Sequence, residues 1–400
     1  MGFFLKEKID FERHNEEVKK LWEDYRERKH ERVPVIIGGS IRNFFENPYL
    51  NKDGYTFYEF FNNPDIHMKC QLLFQKWWRE NILCDNEMGI PEKGWQINID
   101  FQNNYEAGWF GCNLVYPGDF TPPDTEPMLE KNKYKLYEIE PPDPLKGNLL
   151  GKAMEFFEYI NERCKNIEFE RKPVKGPITI PGETTDGPFT VAGKLRGLTE
   201  IFFDMVDDEK YFFDLMNFVT ENIIRRMKEI RRWRLRNEGK NEEKIDFKTK
   251  NFAFADDLVA NLSVEKYEYF VFPFHKRIVE EFSDGSPVHI HLCGNAWHLF
   301  KFLKEKLNVY SFDTGFPIDF GKVRKELGEN VEIIGGPNIV LLKNGKKEEI
   351  ENEVKRICES GIMKGKRFIM REGNNLAPMT PVENIKTMYE SAKIYGRYLD

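Results

Sequence analysis

A chain of 400 residues, 40% of them apolar and 32% charged, can bury a large core, as one big α/β domain or two smaller ones. Its net charge of −7 argues against a nucleic-acid partner, and no apolar run approaches the ~18 residues of a membrane span. The start, Met1-Gly2-Phe3-Phe4-Leu5 and then charged residues, lacks the parts of a secretory signal, and six scattered cysteines do not look like a disulfide framework, so a cytoplasmic, reduced protein is expected.

In chain order, residues 1–31 read as an N-terminal helical extension, followed by a candidate strand at Val33–Ile37. Arg42 comes just after Gly38-Gly39-Ser40; its planar fork suits a substrate carboxylate, the alternative being a surface salt bridge. Turn signals such as Asn47-Pro48, Asp53-Gly54, Asn63-Pro64 and Pro141-Pro142 crowd residues 45–150, which read as a helical insert over 56–83 and long, lid-like loops over 102–148. Further strands are expected at Gln96–Phe101 and near Ile178–Thr190, with Glu183 in the turn-rich loop as a candidate catalytic group. Arg225–Arg236 reads as the solvated face of a long helix, an acidic partner being the weaker reading, and Asn237–Glu243 as a solvated connection. Most of the 34 Phe residues should be core, with a surplus to line an apolar pocket.

The C-terminal half alternates strands and helices: strands at Asn251–Ala255, Val288–Leu292, Val309–Asp313, Val331–Gly335 and Arg367–Arg371. Helices are expected from Val264 to Phe282 with a break near Pro273, over Ala296–Lys306, near Asp319–Leu327 and over Glu348–Ser360. A last helix opens at Thr380-Pro381-Val382-Glu383, with Thr at the cap and Pro at the first helical position. With the earlier candidates this makes a single (β/α)8 TIM barrel over 1–400; an open doubly wound sheet is the runner-up, weakened by the lack of a Gly-rich nucleotide loop.

Chemistry in such a barrel gathers at the C-terminal strand ends, where Asp256, Asp257, His291, Cys293, Asp313, Arg371 and Glu372 fall. His289, His291 and Cys293 share one strand face, and His291 and Cys293, ~6.5 Å apart along the backbone, can converge on one borderline-soft ion such as zinc. His289 is a candidate catalytic contact or a satisfied core histidine, and Asp257 a candidate catalytic or metal-orienting group or a helix cap. His298 reads as surface or core.

Several segments together resemble the uroporphyrinogen decarboxylase superfamily: Gly187-Pro188-Phe189-Thr190 with Leu195-Arg196-Gly197, Ala255-Asp256-Asp257, His291-Leu292-Cys293-Gly294-Asn295, and Gly335-Gly336-Pro337 followed by Gly373-Asn374-Asn375 and Thr380-Pro381-Val382-Glu383-Asn384. The His-x-Cys-Gly motif is similar to that of the cobamide-dependent methyltransferase branch. That resemblance implies His291 and Cys293 as zinc ligands. A second Cys usual in the branch is replaced here by Asn374, leaving Asn374, Glu372, Glu106 or Cys112 as sources of the next ligand; Glu106 is also a candidate substrate contact. Asn295 and Asn338 are expected at the mouth as cofactor-binding residues.

The function implied is a zinc methyltransferase that moves methyl between a small methylated substrate, favoured as a methyl ether in an O-demethylase reaction, and a corrinoid on a separate protein. Alternatives are a methylcobamide:thiol methyltransferase, a cofactor-free tetrapyrrole decarboxylase and a non-catalytic corrinoid- or porphyrin-binding barrel. The methyl donor, the direction of transfer and the oligomeric state stay open, with a homodimer as one candidate.

Overall fold

In a computed structural model that describes residues 2–239 and 245–398, five strands pair in chain order into one all-parallel sheet: β1 (Ala253–Ala255), β2 (Val288–Leu292), β3 (Val309–Thr314), β4 (Glu332–Gly335) and β5 (Phe368–Met370). Each connection is helical, as parallel strands require. Helices Val264–Phe270 and Phe272–Phe282 join β1 to β2, Phe300–Leu307 joins β2 to β3, Phe320–Leu327 joins β3 to β4, and Lys347–Ile357 leads towards β5. The break expected near Pro273 falls at Val271, which ends one helix and caps the next. The last helix is Val382–Tyr395 with Pro381 as its cap, one residue later than the sequence suggests, because the Thr380 hydroxyl bonds back to Ala377 O.

Register explains the alternation in β2. Phe254, Ile290, Phe312, Ile333 and Phe368 pair across the sheet as one apolar row, and all are buried. The residues between them form two polar rows of the opposite face. One holds Ala253, His289, Ser311 and Glu332, and the next, towards the C-terminal ends, holds Ala255, His291 and Asp313. A strand with period-2 alternation thus turns apolar residues to the helices and histidines inward.

The sheet continues at both edges by isolated bridges. Val35 pairs in parallel with Met370, and Asp186 with Ala255. Trp95–Gln96 pairs in parallel with Lys172–Lys175. These segments precede β1 in the chain, yet among the described residues only β1–β5 make a continuous ladder. Among the described residues no backbone pairing joins 33–37 to 95–97.

The strand expected at Gln96–Phe101 stops after Gln96 because side chains from a helix packed beside it take its backbone groups. Gln71 bonds both Asn98 backbone groups, Nε2 to O at 2.7 Å and Oε1 from N–H at 3.1 Å, and His67 Nε2 accepts the Asp100 N–H at 3.2 Å. These side chains take the groups that a neighbouring strand would use. The strand expected near Ile178–Thr190 is also corrected: beyond the bridge at Asp186 the chain turns at Gly187 into helix Pro188–Arg196, with Pro in its first turn. A Cβ at Gly187 would collide with the Asp256 carboxylate, so only glycine allows this approach.

The insert folds as helices Phe57–Asn62, opened by a Thr56/Glu59 capping box, and Pro64–Asn81. The N-terminal extension is helix Phe11–Arg26, whose Tyr25 hydroxyl reaches Glu332 at 2.7 Å. Within the loops of 102–148 lie a short helix, Tyr105–Phe110, and a two-stranded pair, Leu114–Val115 with Asp124–Thr125. Helix Asn148–Cys164 follows.

Helix Glu209–Asn237 carries the basic run, but its face is not simply solvated. Arg226 is fully buried against Glu106, Arg234 pairs with Glu183, and Arg232 and Arg236 pair with Glu229. Of the expected connection Asn237–Glu243, residues 240–243 lie outside the described residues. No helix among the described residues is long and apolar enough to cross a membrane.

Candidate metal centre

At the C-terminal ends of β1 and β2, Asp257, His291 and Cys293 bring a carboxylate oxygen, an imidazole nitrogen and a thiol sulfur within 4.8 Å of one another. His291 Nε2 is 3.1 Å from Cys293 Sγ and 3.9 Å from Asp257 Oδ1. The Cys293 N–H donates to Asp257 Oδ1 at 2.8 Å, which fixes the carboxylate against the turn after β2. Behind His291, Nδ1 meets Asp313 Oδ2 at 2.8 Å, and Asp313 also pairs with Arg371. An imidazole held by a carboxylate on its far nitrogen is the arrangement that orients metal-binding histidines.

The donor set fits a borderline-soft ion such as zinc: one nitrogen, one sulfur and one oxygen, one fewer than the four ligands zinc usually takes. Burial disfavours the charged imidazole, but hydrogen bonds and charge from Asp313 and Cys293 outweigh it and raise His291 to about 10. Burial pushes the Cys293 thiol up, against the pull of His291. Burial also opposes ionisation of Asp313, yet His291 and Arg371 hold it below the usual carboxylate range. The metal-free site therefore keeps protons on the two atoms that an ion would claim.

These groups form part of the wall of a cavity of about 500 Å³, together with Ser40, Arg42, Asn103, Asp186, Ile339, Asn374 and the segment 375–378. Its apolar wall is aliphatic, with no Phe, Tyr or Trp in the lining; most of the Phe residues are in the core or packed against it. Arg42 donates through Nε to Gln102 at 3.1 Å and faces the cavity. A larger cleft of about 810 Å³ lies at the other end of the sheet, around Val288 and Asn308, away from this chemistry.

The sequence candidates separate clearly. Arg42, Asp257, His291, Cys293 and Asn374 meet at the cavity. Glu372 does not join them: it is fully buried, with Oε1 accepting from Gly38 N–H at 2.8 Å and Oε2 without a partner, and burial raises it to about 8. Next to it in the chain, Arg371 bridges the two acids, pairing with Asp313 and, through Nε, with Glu372 Oε1 at 3.4 Å. Glu106 is closed off by Arg226 at 2.6 Å, the Thr185 hydroxyl at 2.7 Å and the Asp186 N–H at 2.9 Å.

Glu183 sits in a neighbouring cleft, paired with Arg234. His289 lies one row deeper, bonded to Ser311 at 2.8 Å, which continues to Glu332 at 2.8 Å. Asn295 is exposed in the turn after Cys293, and Asn338 caps helix Ile339–Asn344 through Val340 N–H. Cys112 is buried away from the cluster, and His298 ties to Leu262 O. Asp256 is fully buried and caps helix Pro188–Arg196 through Phe189 and Thr190 N–H, while His275 holds its other side.

Two residues take their roles only from the structure. Asp313, expected at a strand end without a role of its own, lies in β3 in register with His291, a pairing visible only once the sheet is assembled. Asp186 lines the cavity just before Gly187-Pro188, where a Thr-Asp-Gly turn leads into a helix.

Residues 251–395 match the family described as Uroporphyrinogen decarboxylase (URO-D). A methylated-thiol–coenzyme M methyltransferase of Methanosarcina mazei is 25% identical over 295 residues, covering 73% of this chain and 71% of that protein. A uroporphyrinogen decarboxylase of Prochlorococcus marinus subsp. pastoris is 28% identical over 145 residues, covering 34% of this chain and only 39% of that protein. Among solved structures, a methyltransferase from Methanosarcina mazei superposes with a TM-score of 0.60 at 16% identity, over 94% of this chain and 98% of that one, which is a likeness of fold. The family match thus falls on the region 251–395, which carries β1–β5 and the helices between them.

Proposed function

We propose that this chain is a zinc-dependent methyltransferase, built on a (β/α)8 barrel, that moves a methyl group between a small methylated substrate and a corrinoid carried by a separate protein. The observation that carries the reading is the convergence of Asp257, His291 and Cys293 at the wall of one polar cavity. Asp257 takes the place of the third ligand that the sequence left open, and Asn374, facing the same cavity, is left to bind substrate.

Zinc on these three atoms supplies Lewis acidity, which stabilises negative charge on a leaving oxygen or lowers the pKa of a bound thiol. The chain's own residues do the rest. Asp313 fixes the ring of His291, and Arg371 keeps Asp313 ionised. Arg42 gives an anionic substrate tail a guanidinium to pair with, and Ile339, Leu376, Ala377 and Pro378 exclude water from one wall. With one imidazole, one thiolate and one carboxylate, the site is harder than a thiolate-rich one, which favours a methyl ether and an O-demethylase reaction. The thiol reading is kept because a relative acts on methylated thiols and coenzyme M, by its name.

A decarboxylase acting on a tetrapyrrole is disfavoured by the cavity. About 500 Å³ is small for four pyrroles, and the one guanidinium lining it is a poor match to several carboxylates. The test is metal content and methyl transfer to cob(I)alamin for wild type, His291→Ala and Cys293→Ser. One zinc per chain, lost with transfer in both variants, is expected; full transfer in a zinc-free double variant would sink the reading.

A further inference from the structure

Asp186 is the one acid at the cavity that the ligand set leaves unused. Its place is built by three elements. The backbone bridge to Ala255 ties it to the end of β1, two residues before Asp257. Its N–H is held by Glu106 Oε2 at 2.9 Å, and Glu106 is itself locked by the fully buried Arg226. Helix Pro188–Arg196 starts two residues later and returns Lys194, whose Nζ is 3.7 Å from Asp186 Oδ2. With its backbone fixed on both sides, Asp186 lines the cavity that Asp257, His291 and Cys293 also line.

We propose that Asp186 is a further catalytic residue, the general acid that protonates the leaving oxygen of a methyl donor bound between it and the Asp257–His291–Cys293 cluster. The proposal rests on the methyl-transfer reading. In the step, the carbon–oxygen bond breaks and its electron pair stays on oxygen. The methyl carbon bonds to the reduced corrinoid acceptor through the electron pair of cobalt(I). The Asp186 proton moves to the oxygen, giving an alcohol or phenol, and water returns a proton to the carboxylate.

The groups around Asp186 suit an acid rather than an ion-pair partner. Burial raises it first and the charge of Glu106 second, with Asp257 and Asp256 adding to both; Lys194 opposes them, and the balance lies at about 7. Glu106 faces it from helix Tyr105–Phe110, Lys194 from helix Pro188–Arg196, and Asp256 and Asp257 from the end of β1, while Arg226 stands behind Glu106 and Arg42 and His291 line the same cavity. An acid tuned to neutral pH transfers protons most effectively there.

The test compares zinc-loaded wild type with Asp186→Asn, using cob(I)alamin as acceptor and two donors, anisole and 4-nitroanisole. Anisole leaves as a basic phenolate that needs a proton, and 4-nitroanisole leaves as a weak base that does not. The expected result is a loss of kcat of roughly 100-fold or more for anisole but only about threefold for 4-nitroanisole, at unchanged zinc content. Equal losses for both donors overturn the proposal. A second readout needs no turnover: with ¹³C-carboxyl aspartate, one NMR resonance should titrate near neutral pH and vanish in Asp186→Asn, and its absence from wild type also overturns the assignment. If wild type transfers methyl from neither ether, the methyl-transfer reading falls and takes the proposal with it, an outcome distinct from equal losses in an active enzyme.

Discussion

At the scale of residues, the proposed zinc site turns on which of its groups hold protons in the metal-free protein. His291 and Cys293 both titrate high in the metal-free protein, so binding must displace protons. Zinc affinity should therefore rise with pH, by roughly 10- to 100-fold per unit for one or two protons released, as a competing chromophoric chelator would measure. Asp313 acts through His291, not on the ion. Asp313→Asn should weaken zinc by about 10- to 100-fold without abolishing it. Asp257→Asn should weaken zinc in the same assay and Asn374→Ala should leave it unchanged; the reverse pattern would return Asn374 to the ligand set.

At the scale of elements, the cavity walls are held by buried ionic staples. The Arg226–Glu106 pair joins the longest helix to the short helix Tyr105–Phe110 and, through Thr185 and Asp186, to the loop before helix Pro188–Arg196. Both side chains are out of solvent, so removing one strands the other. Arg226→Met should cost about 3–5 kcal/mol in urea unfolding, far more than loss of an exposed pair such as Arg13–Glu17. Loop 38–42 and the segment after β5 are joined instead by hydrogen bonds: Glu372 accepts from Gly38 N–H, and Gly38 O accepts from Leu376 N–H at 3.0 Å. A Cβ at Gly38 would crowd the side-chain ends of Arg371, Glu372 and Asn375, which would have to shift.

At the scale of the whole molecule, Glu372 links the fold to pH. Burial raises it to about 8, above the unfolded carboxyl value of ~4.3. A raised acid binds its proton more tightly in the folded state, so its contribution is complete below the unfolded value and is lost as pH rises through the folded one. Global stability should therefore decline between about pH 4.3 and 8. Glu372→Gln, which mimics the neutral acid, should flatten that decline and be the more stable protein by about 1 kcal/mol or more at pH 8, measured by urea unfolding across pH. Asp186, raised to about 7, pushes in the same direction and stays in place in the variant.

The sequence by itself determined the parallel half of the molecule and two members of its site. Each of the five strands β1–β5 was legible because period-2 alternation and turn residues are local signals, and His291 and Cys293 because their spacing puts them on one strand face. Tertiary structure decided what depends on partners distant in the chain. Asp257 and Glu372 look alike as acids after strands, yet one turns to Cys293 N–H and the other to Gly38 N–H under the 33–37 segment. Glu106 and Arg226, separated by 120 positions, read as a loop acid and a surface base until packing joins them and removes both from solvent. Asp186 has no motif, since its place is set by a bridge to β1 and a bond from Glu106. The strand at 96–101 failed for the same reason: Gln71 and His67, from a helix packed beside it, took its backbone bonds, and no local pattern records which side chain will compete for a ladder.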